Sequence, residues 1–258
     1  MNGVVELNIL QMVLVYVLLL AVAVVMKAFR IDQMKMLTVA SLRMTVQLIL
    51  AGLVLCYIFE NEARVLTAVY LLAMMLFTVH RVLSRCGELN RRFKIAVGAS
   101  IGLSGVAVIA YFACIVVGVD VLDPQYVIPI AGMLMGNTMN AVSLGVKTFR
   151  ESLEGKRTEI NALLCSGASS EVILLPFVRQ SMASAMLPTL NSMVGMGIVF
   201  LPGMMTGQIL AGVLPTTAIL YQIAIMAAIC AVVCGSAFGA LYFGSRTLYD
   251  RETQVISF

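Results

Sequence analysis

Seven long runs of apolar residues alternate with connecting segments along the sequence. A run of about 20 apolar residues is long enough to cross the hydrocarbon core of a bilayer as an α-helix. The runs therefore predict an all-α integral membrane protein, with about seven transmembrane helices in one domain that covers residues 1–258. The predicted spans are Leu7–Met26, Leu37–Phe59, Ala63–His80, Ile95–Gly118, Val127–Val146, Met186–Leu201 and Ala218–Phe243.

The lysine and arginine residues fall almost entirely on one side of these predicted spans. Because cytoplasmic loops carry an excess of Lys and Arg, this pattern places the N-terminus outside and the C-terminus in the cytosol. Arg64 is the exception, on a side that otherwise carries Glu6, Glu60, Glu62, Asp120 and Asp123. The predicted cytosolic residues are Lys27, Arg30, Lys35, Arg43, Arg81, Arg85, Arg91, Arg92, Lys94, Lys147, Arg150, Lys156, Arg157, Arg179, Arg246 and Arg251.

The composition supports the membrane assignment and excludes some other classes. Hydrophobic residues make up 61% of the chain and charged residues 12%, whereas a soluble domain is about half apolar and about a quarter charged. The first apolar run follows no basic segment, so we predict a retained span and not a signal peptide. No basic patch is interleaved with aromatic residues, and nucleic acid is therefore not an expected partner. The six cysteines follow no disulfide spacing and are expected to be reduced.

The segment Lys147–Ser181, called the insert below, interrupts the apolar pattern with nine charged residues. It lies between predicted spans five and six on the predicted cytosolic side. A connector that only satisfies the charge rule would be shorter, because most connections between helices are short. Its length and mixed charge predict a surface for a soluble partner.

Local signals in the insert predict a helix, a glycine turn and a second helix. Arg150–Leu164 has a helix-forming composition and is expected to extend span five into the cytosol. Gly167 would end that helix. Ser169 or Ser170 would cap the second helix, with Glu171 favourably placed against its N-terminal dipole. Pro176 is expected to kink or end the second helix.

Several amide side chains lie inside or beside predicted spans, where polar groups are uncommon. Interhelical hydrogen bonds are the structural explanation for such residues. A polar lining for a substrate path is the functional explanation, and both can hold at once. The candidate path residues are Gln47, Asn137, Asn140, Asn191 and Gln208.

A second group of residues has interfacial or structural roles in this prediction. Arg43 can extend its charged head to the membrane interface. Gly132 and Gly136 form a Gly-x-x-x-Gly pattern that permits close helix contact. The segment Leu201–Pro215 is uncharged and rich in helix breakers, which predicts a kinked span end or a short re-entrant element. Its characteristic residues are Pro202, Gly203 and Gly207.

The sequence contains none of the motifs that would let the chain carry out catalysis. No predicted span contains a mid-membrane Asp or Glu, a group that ion-coupled carriers usually need at depth. Catalytic triads, HExxH zinc sites and Walker A loops are not recognisable. The chain is therefore predicted to be no enzyme, and it cannot hydrolyse ATP through a P-loop of its own. No metal-ligand cluster is recognisable in the spans, so any metal site is left unassigned.

Two resemblances then become visible. Asn161-Ala-Leu-Leu-Cys-Ser-Gly167-Ala-Ser resembles the EAA loop of ABC importer permeases, in which a short helix and a glycine dock into the ATPase subunit. Asn161 stands where that family has an acidic residue, with Glu159 two positions earlier, and Pro176 comes about one helical turn early.

The second resemblance covers nearly the whole chain. The segments Arg43–Gly52, Val127–Asn137, Leu201–Gly207 and Tyr221–Ile223 resemble the FetB-type permease family. Bacterial members of that family pair with a separate ATPase and are associated with iron export. Related plant half-transporters are associated with aluminium tolerance and with a nucleotide sugar.

The resemblance implies a permease subunit of an ATP-driven ABC transporter in the bacterial inner membrane. A homodimer with two copies of a cytosolic ATPase is expected, with iron or another metal exported. This chain would bind no cofactor itself, and ATP and Mg would lie on the partner. The coupling residues would be Glu159, Asn161, Gly167, Ser169 and Glu171. A non-metal cargo such as a nucleotide sugar, or an ATPase-independent secondary carrier, remains the alternative.

Overall fold

The computed structural model describes residues 8–61, 64–87 and 89–248. Five residues named in the preceding predictions lie outside these ranges, so the limits of spans one and three that rest on them are not described. These residues are Glu6, Leu7, Glu62, Ala63 and Arg251.

The described chain is mostly helical, and within the described ranges it forms no β-strand. This confirms the predicted all-α class. Two of the helices continue into π-helical segments, Phe112–Val117 after α4 and Gly239–Phe243 after α9. The helices are α1 (Ile9–Ala28), α2 (Met34–Asn61), α3 (Arg64–Leu83), α4 (Arg91–Tyr111), α5 (Pro124–Gly155), α6 (Arg157–Cys165), α7 (Ser170–Gly195), α8 (Gly203–Leu210), α9 (Pro215–Phe238) and α10 (Gly244–Arg246).

Five helical segments are long and apolar enough to cross a membrane. They are α2, α3, α4 with its π-helical extension, α5, and the continuous segment Pro215–Arg246. In α1, the apolar helix of described residues is Val13–Ala28, which is shorter. Helix α7 does not belong to the five. The count of seven spans therefore stays a prediction.

The helix that contains predicted span six differs most from its expected limits. Helix α7 begins at Ser170 and continues through Pro176 and Pro188 to Gly195. Helix α7 ends at Gly195, so the prediction that span six continues to Leu201 is wrong at that end, and Pro176 does not end the helix. A proline inside a helix loses one hydrogen bond, but membrane helices tolerate it where neighbouring groups satisfy the freed carbonyl.

The insert is also divided differently from the prediction. Arg150–Leu164 is not one continuous extension of span five, because α5 ends at Gly155 and α6 begins at Arg157. The intervening Lys156 leaves the helical region, with φ −119° and ψ 22°. Glycine is a poor helix former because it loses the most backbone freedom on folding, which explains a break at Gly155.

Helix α5 lies at the centre of a bundle and contacts α3, α4, α7 and α9. Small residues allow the close approaches in this bundle. A Cβ added to Gly145 would lie 3.0 Å from the Cβ of Ala185 on α7. A Cβ added to Gly239 would lie 2.5 Å from the Oγ of Ser100 on α4. The bundle is therefore packed too closely at these points for a larger side chain.

The first two helices form a hairpin that is much less packed. Ile58 is the only residue of α2 that is buried in the described chain, and most of the apolar side chains described in α1 are exposed. The Tyr16 hydroxyl contacts the Thr45 hydroxyl and joins α1 to α2. The Arg43 guanidinium lies 5.7 Å from the ring centroid of Phe77 on α3. Arg43 thus contacts an aromatic ring of the bundle, a contact that its predicted interfacial role did not include.

The connection between α3 and α4 buries a thiol. Cys86 is fully buried, and this burial raises its pKa to about 11, although the charges of Lys94 and Arg150 partly oppose the shift. A thiol with so high a pKa stays protonated at neutral pH and is a poor nucleophile. Cys86 is therefore a packing residue.

Candidate coupling and transport surfaces

The turn at Gly167 is present as the sequence predicted. Gly167 has φ +86°, a left-handed conformation that favours glycine. The amide groups of Gly167 and Ala168 donate hydrogen bonds to the carbonyls of Leu164 and Leu163, at 3.0 and 3.1 Å, and so close the end of α6. Ser169 occupies the N-cap of α7, with φ −69° and ψ 140°, but its side chain makes no capping hydrogen bond. The insert therefore contains a helix–turn–helix, formed by α6 and α7.

One face of α6 packs against the core, and the other face is exposed. Ile160 is fully buried in the core. Glu159, Asn161, Gly167, Ser169 and Glu171, the predicted coupling residues, are all exposed. Glu159 pairs with Lys156 (Oε2 to Nζ, 3.2 Å). Their common exposure makes all five accessible to a second molecule.

Apolar side chains lie exposed beside these polar residues. Val172 in the first turn of α7 is 68% exposed, and Leu163 in α6 is 41% exposed. Exposed apolar groups next to charged ones are typical of surfaces that bind another protein. The sequence pattern indicated the charged residues of the insert but not these two.

A groove of about 280 Å³ separates the start of α7 from the end of the last span. Arg246 forms one wall: it pairs with Glu171 (Nε to Oε1, 3.4 Å) and stacks on the Tyr242 ring, 4.7 Å from the ring centroid. Its Nη2 also donates a hydrogen bond to the Tyr242 hydroxyl at 2.9 Å. Sequence reasoning assigned Arg246 only to the charge pattern and missed Tyr242, because 71 residues separate Glu171 from Tyr242. The lining residues are Ser170, Glu171, Val172, Leu174, Leu175, Tyr242, Ser245 and Arg246.

The predicted path residues are not brought together into one enclosed site. Asn137 and Asn140 are exposed on α5, while Gln47 is exposed on α2 and Asn191 on α7. The Asn137 Nδ2 donates a hydrogen bond to the Met133 carbonyl of its own helix at 2.8 Å. Within one copy of the chain, these amides line an open surface and no closed channel.

The two glutamines near the end of α8 are more enclosed. Gln208 is half-buried, and Gln222 on α9 is only 6% exposed. The Gln222 Nε2 lies 3.8 Å from the Met196 sulfur, a weak contact, and the Oε1 atoms of both glutamines are buried without a hydrogen-bond partner in the described chain. Gln222 was outside the predicted path set, although its position beside the outer segment was the available signal.

The segment around α8 is ordered as a short helix and not as a plain loop. Pro202 is the N-cap of α8, and the Thr206 hydroxyl donates to the Pro202 carbonyl at 3.1 Å. A Cβ added to Gly203 or to Gly207 would meet no described atom within 4 Å. The re-entrant placement of this segment stays a prediction.

The two glycines of the Gly-x-x-x-Gly pattern have different surroundings. A Cβ on Gly132 would lie 3.3 Å from the Met74 side chain of α3, whereas a Cβ on Gly136 would meet nothing within 4 Å. Gly132 therefore faces the bundle, and Gly136 borders open space.

Metal-ligand chemistry is sparse in the described chain. No three His, Cys, Asp or Glu side chains among residues 8–61, 64–87 and 89–248 come close enough together to hold a metal ion. The span surfaces described above offer amide oxygens and a thioether instead. These groups can bind a cation weakly, but they do not form a site of carboxylate or imidazole ligands of the kind that binds iron tightly.

Comparison with known proteins identifies relatives over most of the chain. The model of a family described as "Uncharacterised protein family (UPF0014)" matches residues 9–249. "Probable iron export permease protein FetB" of Escherichia coli is 32% identical over 219 residues, which are 83% of this chain and 82% of that protein. No solved structure matches.

Two further relatives come from a second bacterium and from a plant. "UPF0014 membrane protein YjkA" of Bacillus subtilis is 32% identical over 200 residues, 78% of this chain and 79% of that protein. "Protein ALUMINUM SENSITIVE 3" of Arabidopsis thaliana is 33% identical over 187 residues, 71% of this chain and 66% of that protein.

Proposed function

The chain belongs to the UPF0014 family, and on that premise we propose that it is the permease subunit of an ATP-driven ABC transporter in a bacterial inner membrane. Two copies of the chain would work with two copies of a separate cytosolic ATPase, which would bind ATP and Mg. The observation that supports the proposal is the exposed helix–turn–helix in which α6 follows α5 and the turn at Gly167 leads into the long helix α7. It supports a docking role because its polar and apolar groups are both accessible.

The continuity of α7 makes the insert mechanically suited to coupling. Helix α7 has 26 residues, and at 1.5 Å per residue it is about 39 Å long. Its first turn lies beside Gly167, and its middle packs against α5 at Gly145 and Ala185. A displacement at the turn would therefore move one stiff helix against the centre of the bundle. The continuation of the helix through Pro176 supports this proposal, because the turn and the middle of α7 then belong to one helix.

The proposed cargo is iron or another metal, moved out of the cell. The support is the relative named as a probable iron export permease and the series of amides on α2, α5 and α7. Amide oxygens can replace part of a hydration shell without holding the ion firmly, and export requires that the cargo leave. The cargo would therefore pass as a weakly held species.

A non-metal cargo is the second candidate, and one observation favours it. The residues that the structure describes contain no cluster of three metal-ligating His, Cys, Asp or Glu groups. A cargo rich in hydroxyl groups, such as a nucleotide sugar, would use the amides as hydrogen-bond donors and acceptors. Transport assays must therefore include both classes.

The coupling role is tested with Gly167→Leu, purified together with the proposed ATPase partner and reconstituted into liposomes. A leucine at φ +86° strains the turn by about 1–2 kcal/mol and places a bulky group on the docking surface. We expect at least a tenfold loss of cargo-stimulated ATP turnover, measured across metals and nucleotide sugars, with normal membrane insertion.

The matched control is Gly155→Leu, a second exposed glycine of the insert, where an added Cβ meets nothing within 4 Å and φ is not positive. This control should keep wild-type turnover. Gly167→Asn, which tolerates a left-handed conformation, should recover part of the activity. Normal transport by the Gly167→Leu protein would refute the coupling role, and transport without any ATPase would refute the ABC assignment.

A further inference from the structure

A stripe that includes two asparagines and a lysine runs along a side of α5 that is exposed at these polar residues and partly covered by the bundle at Met133. Met133, Asn137, Asn140, Leu144 and Lys147 are spaced three or four residues apart and so share one face of the helix. We call these five residues the amide face. Asn137, Asn140 and Lys147 are exposed, and Leu144 is 37% exposed. On the opposite side of α5, residues such as Leu134, Thr138 and Val142 are buried.

Within the described ranges, the two asparagines of this face have no hydrogen-bond partner on another helix. Asn137 makes one hydrogen bond, to the Met133 carbonyl of its own helix, and Asn140 makes none in the described ranges. Both lie in the middle of a 32-residue helix that is long and apolar enough to span a membrane. Lipid tails offer no donor or acceptor, so amides at this depth need a polar partner.

We propose that the amide face is where two copies of the chain meet, so that the transport path is completed only by the second copy. A two-fold axis brings the same patch of each copy together, and a residue close to the axis meets its own counterpart. An asparagine amide carries donors and an acceptor, and it is therefore complementary to another asparagine amide. Lipid is not complementary to it.

Two further observations fit a second copy at this face. Gly136 borders it, and a Cβ there would meet nothing within 4 Å, so the backbone of another helix can approach closely. At the end of the face where the insert begins, Lys147 is paired with Glu151 of the same helix (Nζ to Oε1, 3.7 Å). The end of the face is thus locally neutral, and two identical copies do not bring uncompensated like charges together.

This inference rests on the proposed permease pair and adds where the pair joins. It also assigns different roles to the two glycines of the Gly-x-x-x-Gly pattern, since Gly132 is already used against Met74 of α3. The joining surface is therefore centred on Gly136, Asn137 and Asn140.

The test is oxidative cross-linking of Asn140→Cys in native membranes, in a chain whose six cysteines have been replaced by alanine or serine. Leu103→Cys on α4 is the matched control, because Leu103 is 77% exposed and also lies midway along a spanning helix. We expect at least a fivefold higher yield of cross-linked dimer for Asn140→Cys than for Leu103→Cys. Equal yields, or none at position 140, would overturn the inference.

A second measurement uses the chain with its natural cysteines and does not depend on the replaced ones. The double variant Asn137→Leu/Asn140→Leu, in mild detergent, should shift from dimer to monomer by mass-resolved size-exclusion chromatography. If this variant stays dimeric, the amide face is not the joint. A wild-type dimer without cross-linking at position 140 refutes this face and leaves the permease proposal standing. A monomeric wild-type protein that still transports refutes the pairing itself.

Discussion

The α1–α2 hairpin and the bundle formed by α3 to α9 are both apolar, but they are packed very differently. Helix α2 buries Ile58 alone among its described residues, while α5 buries a series that includes Leu134, Val142 and Phe149. In water such a difference would be surprising, because apolar surface drives association. In a bilayer the lipid tails are as apolar as leucine, so hydrophobicity does not tell a helix which neighbour to choose.

Glycine environments show what separates the two regions. In the bundle, a Cβ at Gly239 would lie 2.5 Å from Ser100, and one at Gly244 would lie 2.6 Å from the ring of Phe93. In α2, a Cβ at Gly52 would meet nothing within 4 Å. Close backbone approach at particular glycines, and not apolar character, is therefore what accompanies tight helix packing in the bundle.

The largest predicted loss of stability follows from the close packing around Gly239. Gly239→Leu would force a side chain into the space of Ser100 on α4, and overpacking of this kind costs about 2–3 kcal/mol. We expect a clear fall in the apparent melting temperature in detergent, measured by size-exclusion chromatography after heating.

Gly52→Leu is the matched control, because the same substitution there enters open space. It should change stability by no more than about 0.5 kcal/mol, as surface substitutions usually do. A fall in melting temperature at Gly52 as large as at Gly239 would mean that the hairpin is packed in the membrane, for instance by a second protein.

The comparison also explains which parts of the fold could be predicted. Apolar runs indicated the helices, and Gly167 indicated the turn, because both signals are local. The path of the chain through Pro176 could not be predicted locally, since it depends on neighbours that satisfy the freed backbone. The sequence could not predict which face of each helix is buried, because an apolar side chain such as Leu18 or Leu134 is as stable in lipid as in a protein core.

The candidate surfaces also differ in whether their residues are close together in the sequence. Glu159, Asn161 and Gly167 are close in sequence, so one segment revealed them together. The groove between Glu171 and Tyr242 joins residues far apart in the chain, and nothing in the local pattern of either segment indicates it. The Gln222 oxygen that has no hydrogen-bond partner in the described chain likewise depends on burial by the folded structure, which the local sequence pattern around Gln222 did not indicate.

A smaller effect on stability is predicted at the contact that joins α1 to α2 in the hairpin. Tyr16→Phe removes the hydroxyl that contacts Thr45, and interhelical hydrogen bonds in membranes average about 0.6 kcal/mol. Amide hydrogen exchange in α1 should therefore accelerate about threefold in detergent. Tyr57→Phe, whose hydroxyl makes no hydrogen bond in the described chain, is the control and should leave exchange unchanged. Equal exchange in all three proteins would show that the Tyr16 contact does not join the helices.

The smallest effect on stability is predicted for the ion pair between Glu171 and Arg246, which lies in the bundle. Both side chains are about half exposed or more, and exposed pairs contribute about 0.2–1 kcal/mol because water and salt screen them. A double-mutant cycle with Glu171→Gln and Arg246→Gln should give a coupling free energy of about 0.5 kcal/mol or less, falling as salt rises. The Arg246 variant alone should cost more, because it also loses the Tyr242 ring contact. A coupling above about 1.5 kcal/mol would contradict the prediction, since charge, and not close packing alone, would then hold this end of the bundle together.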